Sequence, residues 1–366
     1  MQKQLYIFSD SIIRRKDNTL LCETLADETL DENNCENVLS DDKDSRLCRE
    51  EYYLDEDVIM PTGDKKYIPV ENIESIYSFG SIRFNTRFLY FLSQHRIPIH
   101  IFNYNGSYAG SFAPSDRNIN GSILLMQAEH YNNYSKRLYI AKQIITGAAN
   151  NTLANLNYYN SRGADLSDEI DYINKLLNEF DNVESVSTLM GYEGLIKKTY
   201  YETWKKIFKQ PVNFSQRVKH PPNNLINSLI SYGNAIIYSI CLDQIYQTRL
   251  YPEIGFIHEP NEGKLSLAYD LSEIFKLLIT DRVIFKVINK LMITEDDYVS
   301  RNGSGWIKKN AKKIFVQEFE EKLHTVINIR ETDRNMSYRR LIKEECYKIL
   351  KHIKGEEEYK PFISRW

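Results

Sequence analysis

The chain has 366 residues, with 47 Lys and Arg against 50 Asp and Glu and 42% apolar residues. That length allows two domains with cores of their own, and that apolar share excludes a chain disordered throughout. No stretch reaches the roughly 18 apolar residues of a membrane span. The N-terminus, MQKQLYIFSDSIIRR, is broken by polar residues too often for a signal peptide. Five scattered cysteines, an odd number, do not suit a disulfide framework, and a reducing cytoplasm is the expected compartment.

The net charge of −3 conceals a division along the chain. Residues 22–57 hold 14 acidic and 3 basic residues, a local net of −11, which leaves +8 for the remainder. A basic body suits a polyanionic partner, because phosphate contacts dominate nucleic-acid affinity.

Taken in order, Gln4 to Ser9 and Ser11 to Arg15 read as strands, with a turn at Lys16-Asp17-Asn18 before Thr19-Leu20-Leu21. The acidic segment 22–57 is expected as an exposed, mobile insertion. Its Cys22, Cys35 and Cys48 lie thirteen apart and lack the paired short spacings of a zinc site. Ile73 to Phe79 predicts a strand, Asn85 to His95 a helix, and Ile97 to Phe102 a second buried strand. Asn105-Gly106 is a hairpin signal leading to 107–112. Pro, Ser, Asp, Asn and Gly collect at 113–120 and predict a domain boundary. Helical periods follow at about 122–148, 150–160, 166–180, 184–209, 223–249, 265–279, 281–293, 304–326 and 337–354. The expected fold is α+β: a β-rich domain over 1–113 and a larger all-α domain over 121–366.

Two regions could carry chemistry. In the helix predicted at 184–209, Leu189, Ile196, Tyr200, Trp204 and Ile207 define a buried stripe, and Glu193 falls on it. A carboxylate there needs a partner: a Lys or Arg, a proton, or a metal ion. Gly191 and Gly194 flank it, each weakening a helix by about 1 kcal/mol relative to Ala. Such glycines permit close approach of a ligand or another backbone. The second region is the loop Gly255-Phe256-Ile257-His258-Glu259-Pro260, followed by a helix with Asp270 and Glu273 at the edge of its apolar stripe. Two carboxylates and an imidazole suit Mg²⁺ or Mn²⁺ better than structural zinc. No GK[ST] phosphate loop and no GxSxG elbow occur, which disfavours nucleotide hydrolases and serine hydrolases.

These residues, together with Arg14 to Leu21, Ile68-Pro69, Met190-Gly191-Tyr192-Glu193-Gly194, Pro221-Pro222 with Asn227, Ser266 to Glu273 and Ser337 to Ile342, resemble the CRISPR-associated integrase family, the first of the two universal spacer-acquisition proteins. The resemblance covers nearly the whole chain outside 22–57. It implies an N-terminal β-rich dimerisation domain, a helical catalytic domain and a homodimer. It implies metal ligands at Glu193, His258 and Glu273, with Asp270 as a nearby acid, and Mg²⁺ or Mn²⁺ as the ion. The implied reaction is attack by a DNA 3′-hydroxyl on a phosphodiester of the repeat array, with nuclease and reverse-integration activity alongside. Implied partners are double-stranded DNA fragments, repeat-array DNA and a small second adaptation protein, two copies beside four of this chain in a heterohexamer, with no membrane. Lys197, Lys198, Arg217, Lys219, Arg339, Arg340 and Lys343 match the family's DNA-binding face in placement. The chain departs from the usual pattern at the acidic segment, and at Leu277, where many members have proline. A non-catalytic DNA scaffold and a general DNA repair nuclease are the competing readings.

Overall fold

The computed structural model describes residues 3–25, 61–103, 106–114, 120–219, 221–262, 264–301, 304–329 and 334–364. β1 (Lys3–Ile7) pairs in parallel with β5 (Ile73–Ser78), and β5 in parallel with β7 (Ile99–Phe102); β8 (Tyr108–Phe112) completes this sheet in the order β1-β5-β7-β8. Parallel strands bury both faces, which is why Ile73 to Ser78 shows no clean alternation. Ile7, Ile76 and Ile99 enter the core on one face, while Tyr6 stacks on Tyr77 at 5.1 Å on the other.

The second sheet, in the order β4-β3-β2-β6, comprises β2 (Ser11–Lys16), β3 (Thr19–Leu25), β4 (Pro61–Pro69) and β6 (Ile82–Arg83). β2 and β3 form the expected hairpin, closed at Asp17, whose φ of 54° lies in the left-handed region that Asp tolerates. α1 (Thr86–Gln94), capped by Asn85 through Phe88 N–H at 3.2 Å, adds Phe88, Phe91 and Leu92 to the same core. One expectation is corrected here. Residues 22–25 do not begin an exposed insertion: they continue β3, with Leu25 buried and Glu23 buried and paired to Lys65 at 3.0 Å. The rest of the acidic segment, with Cys35 and Cys48, lies outside the described residues.

The chain divides into one compact unit, Met1–Tyr104 with Ala109–Asp116, and a second, Asn105–Tyr108 with Arg117–Trp366. The second is mainly helical: α2 (Gly121–Asn132), α3 (Tyr134–Asn160), α4 (Ser167–Asn178), α5 (Val186–Ile207), α6 (Leu225–Tyr246), α7 (Ser266–Lys276), α8 (Thr280–Asn289), α9 (Lys309–His324) and α10 (Tyr338–Ile353). Two hairpins interrupt it, β9 (Tyr298–Arg301) with β10 (Ser304–Ile307) and β11 (Val326–Ile329) with β12 (Arg334–Ser337). The fold is therefore α+β, strand-rich first and helical after, as the sequence predicts.

Three local readings change. The first long helix breaks at Asn133 and not near 149, because the Asn133 side chain accepts Lys136 N–H at 3.1 Å and caps a new helix. Residues 304–307 pair with 298–301 as a hairpin, so that helix starts only at Lys309. α6 is, by length and composition, apolar enough to cross a membrane, against the expectation that no stretch is; 83% of its apolar window is buried inside the protein. It is the core helix, packed by α7, α8 and α10.

Candidate metal and nucleic-acid site

α5 starts where the Ser185 side chain accepts Thr188 N–H at 3.0 Å. From there Leu189, Ile196, Tyr200, Trp204 and Ile207 are buried, as the stripe predicts. Glu193 sits on that stripe near its solvent end, with a side chain 19% exposed. The would-be Cβ positions of Gly191 and Gly194 face open space, so this stretch of helix surface is bare beside Glu193.

The 251–258 loop is shaped from three sides. Gln127 on α2 donates to Tyr251 O at 2.9 Å and Ile254 O at 2.7 Å. Arg137 on α3 donates to Phe256 O at 3.0 Å and pairs with Glu259 at 2.8 Å. Ser266, first residue of α7, accepts Gly255 N–H at 2.8 Å and donates to Glu253 O at 2.7 Å. Gly255 is required: a Cβ there would lie 2.7 Å from Asp270 Oδ2 and 2.8 Å from the Ser266 backbone.

Asp270 is fully buried, not on an exposed rim. Its Oδ2 accepts Phe256 N–H at 2.5 Å and Ile257 N–H at 3.0 Å, and its Oδ1 accepts His258 N–H at 3.0 Å. The same Oδ1 lies 2.7 Å from His258 Nδ1. A carboxylate on Nδ1 fixes the ring and leaves Nε2 as the outward nitrogen, the arrangement found behind metal-binding histidines. Asp270 is thus a positioning residue for His258. Tyr269 flanks the imidazole at 5.7 Å between ring centroids and stacks on Tyr238 at 4.3 Å.

One turn after Asp270 on α7, Glu273 is 6% exposed. Its Oε2 pairs with Lys197 Nζ at 2.8 Å and its Oε1 with Lys276 Nζ at 2.8 Å. The Lys197 ammonium also contacts Glu193. Burial pushes the Glu273 carboxyl up, but Lys197 and Lys276 outweigh it and hold the group well below the usual carboxylate range. Burial pulls the Lys197 ammonium down, and the Glu273 and Glu193 carboxylates more than reverse that. The structure brings Glu193 and Glu273 together through Lys197 and brings His258 to Asp270. Among the described residues no three His, Cys, Asp or Glu side chains converge as a metal-holding cluster. The residues do fit a divalent ion in kind: two carboxylates already share one cation, and both belong to the oxygen donors that Mg²⁺ and Mn²⁺ take.

The basic residues sort by what they touch. Lys197 is held by the two carboxylates. Arg217 is spent on bracing its own loop against α6, donating to Asn227 O and Oδ1 at 3.2 Å and to Ser231 Oγ at 2.8 Å. Arg339 is buried against Glu320 at 2.7 Å. Lys343 donates to Gln247 Oε1 at 2.8 Å. Lys198 and Lys219 are exposed, as is Arg340, which lies 3.6 Å from Glu344. Although Lys219 is exposed, the neighbouring protein shields part of its stem from water, and that shielding, then Lys197, Arg217 and Lys276, lower its ammonium, so it stands in a positive field beside Glu273. Sequence reasoning missed Lys276 and the buried Asp281, whose partner is the Tyr200 hydroxyl. A basic residue at i+3 from Glu273 was a readable signal for the first; nothing local marks the second.

The family profile described as CRISPR associated protein Cas1 matches residues 42–321. A CRISPR-associated endonuclease Cas1 from Fusobacterium nucleatum is 39% identical over 366 residues, covering 100% of this chain and 98% of its own. A CAS1 protein from Thermotoga maritima shares the fold at a TM-score of 0.79 with 33% identity, over 98% of this chain and 100% of its own. A casposase bound to integration product shares the fold at a TM-score of 0.79 with 19% identity, over 100% of this chain and 96% of its own. Fold and relatives define a CRISPR-associated nuclease. The chain belongs to the Cas1 family.

Proposed function

We propose that this chain is a metal-dependent DNA integrase and endonuclease that inserts short DNA fragments into a CRISPR repeat array by 3′-hydroxyl attack on a phosphodiester. The observation that carries the reading is the meeting of Glu193 and Glu273 around one cation, with His258 oriented by Asp270 three residues before Glu273 on the same helix. Glu193, Glu273 and His258 Nε2 would hold Mg²⁺ or Mn²⁺. When bound, the ion supplies Lewis-acid polarisation of the phosphodiester and eases deprotonation of the attacking hydroxyl. Asp270 keeps the imidazole in one orientation. Lys219 and Lys198 hold and align the phosphate backbone, and Arg340 extends that basic surface; Arg217, Arg339 and Lys343 support it by bracing the elements that carry it. The bare helix surface at Gly191 and Gly194 leaves room for the DNA backbone beside Glu193. Double-stranded fragments, the repeat array, a second copy of the chain and the small second adaptation protein, in a heterohexamer, are the proposed partners, acting in the cytoplasm.

A strand-transfer assay tests this directly: purified protein, Mn²⁺ or Mg²⁺, a short duplex with free 3′-hydroxyls and a supercoiled repeat-bearing plasmid. Glu193→Ala is expected to abolish transfer while duplex affinity stays nearly unchanged. Full transfer by Glu193→Ala would overturn the assignment, and transfer unaffected by chelator would remove the metal from the mechanism.

A further inference from the structure

Lys197 does what a phosphate-gripping lysine has no need to do. Its ammonium lies between two carboxylates from different helices, Glu193 one turn earlier on α5 and Glu273 on α7, the latter at 2.8 Å. Lys276 takes the other oxygen of Glu273 at 2.8 Å. Two carboxylates drawn together in a partly buried place repel one another unless a cation separates them. Here the chain supplies that cation itself.

An ammonium and a divalent ion cannot occupy the same gap between the same two carboxylates. We propose that Lys197 is a positioning residue that stands in for the divalent ion. It holds Glu193 and Glu273 in register in the metal-free protein, leaves when the ion enters, and then presents its ammonium to DNA phosphate. The inference rests on the metal-site reading above. It has two consequences. Lys197 competes with the ion, so metal binds less tightly than the two carboxylates alone would allow. Metal and DNA binding also reinforce each other. Glu193, Glu273, Lys197 and Lys276 together are neutral, so loading the ion leaves a net positive site with a freed ammonium where a phosphate arrives. Reciprocity requires DNA to tighten metal binding by the same factor.

The test is calorimetric titration of Mn²⁺ into the full-length protein, with Lys197→Met and the charge-keeping Lys197→Arg. Lys197→Met is expected to bind Mn²⁺ about tenfold more tightly, and Lys197→Arg to remain close to the natural protein. Mn²⁺ is expected to raise the natural protein's affinity for a short duplex and steepen its salt dependence by about 0.9 in log–log slope. Lys197→Met loses that gain. Lys197→Gln carries the same measurements where the Met variant does not fold. Unchanged or weaker Mn²⁺ binding in both neutral variants overturns the inference. Glu273→Gln separates the two levels: if it binds Mn²⁺ like the natural protein, the metal-site reading itself fails. If it loses Mn²⁺ while the Lys197 variants bind as before, only the role of Lys197 falls.

Discussion

The two halves of the site are held by different kinds of force. The His258 half is fixed by the backbone: three successive N–H groups and the imidazole all converge on Asp270, which is itself fully buried. The carboxylate half is fixed by flexible lysines, with Lys197 39% exposed and Lys276 19%. Backbone amides cannot leave, and lysine stems can. On the proposed reading, one half is therefore rigid before any ion or DNA arrives, and the other exchanges its cation. On that reading the oriented imidazole sets the geometry while the exchangeable side adapts to the DNA.

Breaking the rigid half has the largest effect. Asp270→Asn keeps the volume but replaces one acceptor oxygen by a donor, which faces either backbone N–H groups or His258 Nδ1. Loss of a partner behind a metal-binding histidine costs about 10–100-fold in metal affinity or activity. We expect a fall of that size in strand transfer, with the helical circular-dichroism signal retained. Activity within twofold of the natural protein would show that the imidazole needs no such hold. Asp270→Ala goes further, leaving three buried N–H groups without their acceptor at about 1–3 kcal/mol each, and its melting temperature should drop.

The same contrast marks what was legible in the sequence. The stripe Leu189 to Ile207 with Glu193 on it was legible because helical periodicity is local, and so was the α+β order of the chain. The loop at 255–260 was legible as a loop, through Gly255 and Pro260. That Asp270 would serve His258 from behind was not. Asp270 and Glu273 look alike on a helix wheel, and only the path of the 251–258 loop turns one into an acceptor for backbone amides. The fates of Arg217 and Arg339 were hidden for the same reason: a guanidinium's partners, Asn227 and Ser231 for the first and Glu320 for the second, are set by tertiary packing. The end of β3 was misread because its residues were grouped by composition with the acidic stretch after Leu25, while pairing with β4 decides their place.

A smaller effect separates lysine from arginine on the proposed DNA face. Lys219 is exposed and Arg217 is committed to carbonyl and hydroxyl acceptors. Lys219→Ala should flatten the salt dependence of duplex binding by about 0.9, the value for one phosphate contact. Arg217→Ala should leave the slope unchanged and lower stability by about 1–3 kcal/mol, because it strands buried acceptors. A slope left unchanged by Lys219→Ala would place Lys219 in the solvated surface, and a flatter slope for Arg217→Ala would return it to the DNA face.

The smallest effect is a pH dependence on the exchangeable side. Asp281 at the start of α8 is buried, and burial pushes its carboxyl up to about 7 despite the hydrogen bond with Tyr200 and the nearby Lys276 and Lys197. In the unfolded chain the same group releases its proton near pH 4. Between these values the folded protein holds a proton that the unfolded chain has lost. The contribution to stability is therefore complete below about pH 4 and disappears as pH rises to about 7. Asp281→Asn keeps an acceptor for the Tyr200 hydroxyl and has no proton to lose. In urea titrations of metal-free protein, the variant should resemble the natural chain near pH 5 and exceed it by about 1–3 kcal/mol at pH 8. A difference that stays constant across that range would mean Asp281 is ionised throughout. It would then be a further carboxylate beside Glu273, and the lysines there would offset three charges instead of two.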